Sequence, residues 1–387
     1  MTQRVAALRE SKHANLVLAL VILGLAVLLP YFFDPRASFM NNAVLALAYV
    51  VMALGLNIVV GFAGLLDLGY VAFYAFGSYS MGWFASDFFN RVNSGKGIHI
   101  GAGTFATTLP GIHLNFLIVA VIAVLICAVV GILIGLPTLR LRGDYIAIVT
   151  LAFGEIIRVF AFFGDDIKFA AGYKLTNGRD SISPVDQIQL PLLSEFDSAF
   201  SLRPYYWFAL AMVAFVLFVN FRLRDSRLGR AWVAIREDEV AAASMGVPLV
   251  KTKLLAYATG GALGGMAGAF LGSYYNAVNA NQFQFGFSIF ILAMIILGGL
   301  GSVWGVVFGA ILLSYINTYF IPDVFNTLPS KIGLDFDLTQ LSFGIFGFLI
   351  VLVMILRPEG LLPERRRKLE LVDHVGTGDS QVYEVRG

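Results

Sequence analysis

The apolar positions of this chain run together in blocks of about 20 residues, the length that carries a helix across roughly 30 Å of hydrocarbon. The blocks fall at 15–33, 39–60, 67–86, 114–136, 144–163, 204–221, 252–275, 284–298, 303–320 and 340–356. They predict an all-α integral membrane protein with about ten transmembrane helices. Two pairs of blocks are parted only by "GFAGLLD" at 61–67 and "GGLGS" at 298–302. Each of those pairs also reads as one broken or re-entrant helix, which makes eight full spans the alternative. Small residues recur inside the blocks at helical spacing: Gly260, Gly264, Gly268 and Gly272, then Gly301, Gly305 and Gly309. In lipid such strips let backbones approach closely, so they predict helix-packing faces, with a sliding interface between gating helices as the functional alternative.

Composition removes the soluble alternative. Hydrophobic residues make up 58% of the chain and charged residues 13%, too few to cover the surface of two or three soluble domains. The first block follows a basic start, as a secretory signal does, but it is long and ends in Pro-Tyr-Phe-Phe-Asp-Pro without a small-residue cleavage pattern, so it reads as a retained span.

Charge then orients the spans. With the N-terminus inside and ten spans, Arg4, Arg9, Lys12, Arg140, Arg142, the basic residues of 222–253 and those beyond 356 share one side. Asp165, Asp166, Asp180, Asp186, Glu195 and Asp197 share the other, in the long segment 164–203. The positive-inside rule therefore places both tails, 1–14 and 357–387, and the loop 222–253 in the cytoplasm, flanking a transmembrane domain at 15–356. Segments 87–113, 164–203 and 321–339 fall outside.

Charge is concentrated in "SRLGRAWVAIREDEVAAASMG" at 226–246. Leu228, Ala231, Trp232 and Ile235 share one helical face, with Arg227, Arg230 and Glu237 away from it. Asp238 suits a helix cap, Glu239 the first turn after it, and Gly246 before Pro248 a stop, which leaves a helix of about two turns. So short a helix needs something to pack on. Ala241, Ala242 and Ala243 give it a smooth face that suits a partner's groove. The plainer reading is an amphipathic turn at the membrane surface, but anionic headgroups would repel Glu237, Asp238 and Glu239.

Catalytic chemistry finds no foothold. There is no G-x-x-x-x-G-K-[ST] phosphate loop. The single cysteine, Cys127, lies in an apolar block, and His13, His99, His113 and His374 lack metal-ligand spacing. A transport protein rather than an enzyme is expected, with no cofactor or metal of its own and no nucleic acid partner. The ionisable residues that qualify for a place near the bilayer middle are Asp67, Glu155 and Arg158. Glu155 and Arg158 stand three apart on a helix, near the bilayer midplane, and should pair and face the protein interior. They either pin that helix or reach a translocation path. An ion-coupled secondary transporter working alone is the rival reading, and it would keep more free ionisable groups at such depth.

Several stretches carry a family likeness: "GLNIVVGFAGLLDLGYVAFYAFGSY" at 55–79, "LRGDYIAIVTLAFGEIIR" at 141–158, "LTNGRDSI" at 175–182, "AIREDEVAAASMGV" at 234–247, "GGLGSVWGVVFGA" at 298–310 and "RPEGLL" at 357–362. On these the chain resembles the permease subunits of bacterial ATP-binding-cassette importers for branched-chain amino acids, in particular the longer permease of the pair. The resemblance implies a multi-pass protein of the bacterial inner membrane with a fold akin to vitamin B12-type importers. It also implies a second permease subunit, two cytoplasmic ATPases that bind ATP and Mg, and a periplasmic binding protein that selects the ligand. Related systems take other amino acids, urea or short amides. The 226–246 loop would couple to the ATPase through Arg230, Arg236, Glu237, Asp238, Glu239, Ala241, Ala242 and Gly246. The general importer pattern has Glu-Ala-Ala followed by Gly; here Val240 holds the Glu position and Glu239 stands one residue earlier.

Overall fold

The computed structural model describes residues 24–102, 108–139, 141, 143–169, 172–189, 196, 201–325, 344, 347–348, 351–352, 355–357 and 359–362. The N-terminal tail, most of the C-terminal tail, much of the expected first span and most of the expected tenth, 340–356, lie outside these residues.

Among the described residues, seven helices are long and apolar enough to cross a membrane: Ser38–Phe62, Phe116–Thr138, Tyr145–Phe162, Arg203–Arg224, Leu249–Tyr274, Ala280–Gly298 and Val303–Phe320. We number the helices α1 (Ser38–Asn57), α2 (Val71–Phe84), α3 (Phe116–Thr138), α4 (Asp144–Phe162), α5 (Arg203–Arg224), α6 (Arg227–Glu237), α7 (Glu239–Ser244), α8 (Leu249–Tyr274), α9 (Phe285–Gly298) and α10 (Val303–Tyr315).

The expected span 67–86 is the main correction. Its helix, α2, has only 14 residues, about 21 Å of rise. Residues 64–70 form an irregular connection instead, because Asp67 Oδ1 accepts from Gly69 N at 2.8 Å and turns the chain just before the helix begins. Gly69 has backbone of α4 at Thr150 where a side chain would go, which holds the turn against that helix. A short helix with a polar-ended approach cannot face lipid along its length. Most of α2 is accordingly buried by its neighbours.

Helices α1, α2 and α8 form the centre. Gly260 of α8 lies against Gly55 and Val59, Gly264 against Tyr70 and Phe73, Gly268 against Tyr74 and Gly77, and Gly272 against Ser78 and Met81. A second face of α8, Gly261 and Gly265, meets α3 at Cys127. Close approach brings donors to backbone carbonyls: Tyr70 Oη donates to Gly260 O at 3.0 Å and Ser78 Oγ to Gly268 O at 2.9 Å. Helices α9 and α10 form a hairpin in which Gly305 and Gly309 lie against Gly298 and Met294. Gly301 does not join them on a helix; it sits in the connection, with φ +84, where its N–H donates to Asn57 Oδ1 at 3.0 Å.

That asparagine closes α1 at a break. Residues Ile58–Phe62 continue the helix as a π turn, and wider turns of this kind commonly mark working parts of helices. At the opposite end of the bundle from α6 and α7, three short strands, β1 (Ala85–Ser86), β2 (Ile98–Ile100) and β3 (Ile112–Leu114), pair in the order β1-β3-β2. Helices α3, α4 and α5 are peripheral and keep wide apolar faces uncovered, such as Val121, Leu125 and Val129 on α3.

Candidate functional site

Helix α6 follows Ser226, whose hydroxyl accepts from Gly229 N at 3.2 Å. Trp232 and Ile235 turn inward and are buried, while Arg230 and Glu237 stay exposed. The indole Nε1 donates to Thr252 O at 2.8 Å, which fastens α6 to the first turn of α8. Asp238 then ends one helix and starts the next: its Oδ1 accepts from Val240 N at 2.8 Å and Ala241 N at 2.9 Å. Helix α7 stops at Gly246, which has φ +84, a conformation glycine adopts without strain.

Two side chains tie this helix pair to the membrane bundle. Arg236 Nη1 donates to Gly61 O at 2.7 Å, within the π turn that ends α1, and its methylenes fill the space beside Gly64. Glu239 pairs with Lys253 of α8 at 2.7 Å. The displaced glutamate therefore has a partner inside its own chain. Ala242 faces inward and is buried, whereas Ala241, Ala243, Ser244, Val240 and Met245 are exposed, Val240 at 63% and Met245 at 86%. The outer side of α7 thus carries apolar side chains between charged flanks.

The intramembrane acids separate into two environments. Asp67 is buried in the connection before α2, and its Oδ2 has no hydrogen-bond partner among the described residues. Its visible role is the turn into α2. Glu155 and Arg158 meet, as their spacing requires, with Nε 2.7 Å from Oε2. They do not face the chain's interior: the side chains keep 35% and 38% exposure. Helix α4 packs through a narrow stripe of Ala147, Thr150, Gly154 and Ala161, so its flanks stay open.

A pair that no local pattern announces lies at the strand end of the bundle. His113 Nδ1 donates to Asp186 Oδ2 at 2.8 Å, although 73 positions separate them. Asp186 N donates in turn to Ala85 O, and Ser273 Oγ to Asp186 O, so this acid joins the strands, the segment 182–189 and the end of α8. Burial alone would lower the His113 pKa, but the hydrogen bond and charge of Asp186, with smaller help from Asp87, hold it above its ordinary value. A raised histidine pKa stabilises the fold fully below its unfolded value, and that contribution is lost as pH rises through the folded value. Thermal stability in detergent should therefore fall as pH rises above the ordinary histidine value of about 6.5, and His113→Asn should flatten that decline. Equal pH profiles for the two proteins would disprove the linkage.

Comparison with known proteins agrees with this architecture. Residues 38–355 match the family described as the permease component of branched-chain amino acid transport systems. The high-affinity branched-chain amino acid transport system permease protein LivM of Escherichia coli K12 is 36% identical over 390 residues, 95% of this chain and 79% of that one. A probable LivM permease of Methanocaldococcus jannaschii is 27% identical over 329 residues, covering 82% and 91%. The LivH permease of the same E. coli strain is 28% identical over 154 residues, 40% and 44% of the two chains. No solved structure matches the chain at a significant level. With most of its length matched and seven helices able to span a bilayer, the chain is a multi-pass membrane protein that belongs to the family of branched-chain amino acid transport permeases.

Proposed function

We propose that this chain is the longer of two permease subunits in an ATP-binding-cassette importer for branched-chain or related amino acids, seated in the bacterial inner membrane. The α6–α7 end faces the cytoplasm and meets an ATPase, which supplies the ATP and Mg sites. The strand end and the segment 164–203 face the periplasm and receive a binding protein. The second permease completes the translocation path.

The observation that carries the reading is α7 itself. It is capped by Asp238, held from behind by Glu239 and Lys253, and uncovered in front at Val240 and Met245. Movement of α7 has a direct route inward through Arg236 to the π turn of α1. The basic residues Arg222, Arg224, Arg227 and Arg230 around it support the cytoplasmic placement, and relatives named both LivM and LivH support a two-permease pair. A vitamin B12-type arrangement suits the buried α1, α2 and α8 at the centre.

Reconstitution tests the whole reading. The chain, with a second permease, two ATPases and a loaded binding protein in proteoliposomes, should take up branched-chain amino acids only when ATP is supplied on the α7 side. Uptake by the chain alone under an ion gradient would establish the secondary-transporter alternative. Orientation has a separate check, since buried Cys127 leaves the native chain unreactive to bulky thiol reagents. In intact cells an impermeant reagent should label Lys174→Cys and spare Ser244→Cys. The reverse pattern would invert the topology.

A further inference from the structure

Among the charged residues on the seven spanning helices, Glu155 lies deepest, about 16 Å along α4 from Asp144 and about 10 Å from its other end. Charge at that depth is costly unless it is paired or turned toward a polar surface. The pair nevertheless makes one contact, Nε to Oε2 at 2.7 Å, and each side chain keeps over a third of its surface uncovered. Neither residue has a charged partner on another helix among the described residues. A structural pin would be closed over by neighbouring side chains. This pair is held open on the flank of α4, beside the stripe through which the helix packs.

We propose that Glu155 and Arg158 are a binding station for the zwitterion of an α-amino acid on the translocation path, with Glu155 receiving the ammonium group and Arg158 the carboxylate. The assignment rests on the importer reading above. Its chemistry follows from complementary charge: the pair offers one anion and one cation, and the ligand offers the same two charges in exchange. Arg158 already uses Nε on Glu155, so both terminal nitrogens remain for a carboxylate fork. An empty station is neutral and closed on itself, and a loaded one is neutral too. Net charge therefore stays at zero in the low-dielectric region throughout passage. Recognition through the backbone groups alone also tolerates different apolar side chains, while urea and short amides, which lack both charges, would gain nothing here.

The complete system in proteoliposomes decides the matter. Glu155→Gln with Arg158→Gln removes both charges together. Uptake should fall at least about tenfold, while ATP hydrolysis stimulated by the loaded binding protein stays within about twofold of the native rate. Restored uptake in that double variant would overturn the proposal, because a merely structural pair leaves no lone charge when both partners are neutral. Arg158→Lys supplies a second readout should the double variant fail to assemble. Lysine keeps the ion pair but not the fork, so uptake should drop by about tenfold with assembly and hydrolysis intact, and unchanged uptake would overturn the assignment. If the native system itself shows no ATP-driven uptake, the importer reading fails instead, which keeps the two failures distinct.

Discussion

Replacing Ala242 with tryptophan should abolish uptake by the reconstituted importer while the chain still inserts and joins its partners. Ala242 is 4% exposed and is the one buried residue of α7. Its carbonyl accepts from Val247 N, so the residue sits where α7 turns back toward α8. An indole cannot fit there without something moving. Overpacking costs about 1–3 kcal/mol when a well-packed region must shift, and the cheapest shift is of α7 itself, whose outer side is uncovered. The spanning helices keep their own contacts. Helix α7 would then be pushed off Lys253 and out of line with Arg236, so ATP hydrolysis should no longer respond to the loaded binding protein. Normal coupled uptake with tryptophan in place would disprove the role of α7.

Gly268→Val should act on the opposite end of the scale, by preventing the bundle from forming. A Cβ at Gly268 would stand 2.5 Å from Tyr74 O and 3.1 Å from Gly77 Cα and Ser78 N. All three are backbone atoms of α2, so no side chain can swing away to make room. The two helices would have to separate, and the bond from Ser78 Oγ to Gly268 O would lengthen with them. Close small-residue approach is a main source of cohesion between helices in lipid, and the cost here should exceed the ~1–3 kcal/mol of ordinary overpacking. Size-exclusion chromatography of detergent extracts should show little monodisperse protein. Gly246→Val gives the contrast, because no atom lies within 4 Å of the added carbon and only the positive φ is strained. It should yield well-formed protein, and a normal yield from Gly268→Val would show that α2 and α8 do not depend on this approach.

Local features were readable from the chain, and distant pairings were not. Asp238 as a cap and Gly246 as a stop follow from side-chain chemistry within a few residues, and both hold in the structure. The meeting of Glu155 with Arg158 follows from helical spacing, but its exposure depends on how narrow a stripe α4 offers its neighbours. The bond from Arg236 to Gly61 O spans 175 residues and leaves no local trace. Glu239 and Lys253 are only 14 apart, yet they meet because the chain reverses at Gly246 and Pro248. Hydropathy extended the span around α2 too far, because Leu68, Gly69 and Tyr70 carry no charge and run straight into the apolar helix that follows. The turn set by Asp67 and Gly69 is what shortens it. The regular spacing of Gly301 with Gly305 and Gly309 similarly concealed that the first of them belongs to a turn.

The shortness of α2 also bears on the order in which the molecule is made. A helix of about 21 Å is a poor candidate for entering lipid unaided, and one of its binding partners, the carbonyl of Gly268, lies 190 residues further along the chain. At roughly 5–20 residues per second of synthesis, that partner emerges on the order of 10–40 seconds later. Until then α2 has α3 beside it and an unfilled seat on the side that α8 will take. Ribosomes that stall before Leu249 would therefore release a chain whose centre has never been assembled, and the quality-control proteases of the membrane would meet it with α2 uncovered.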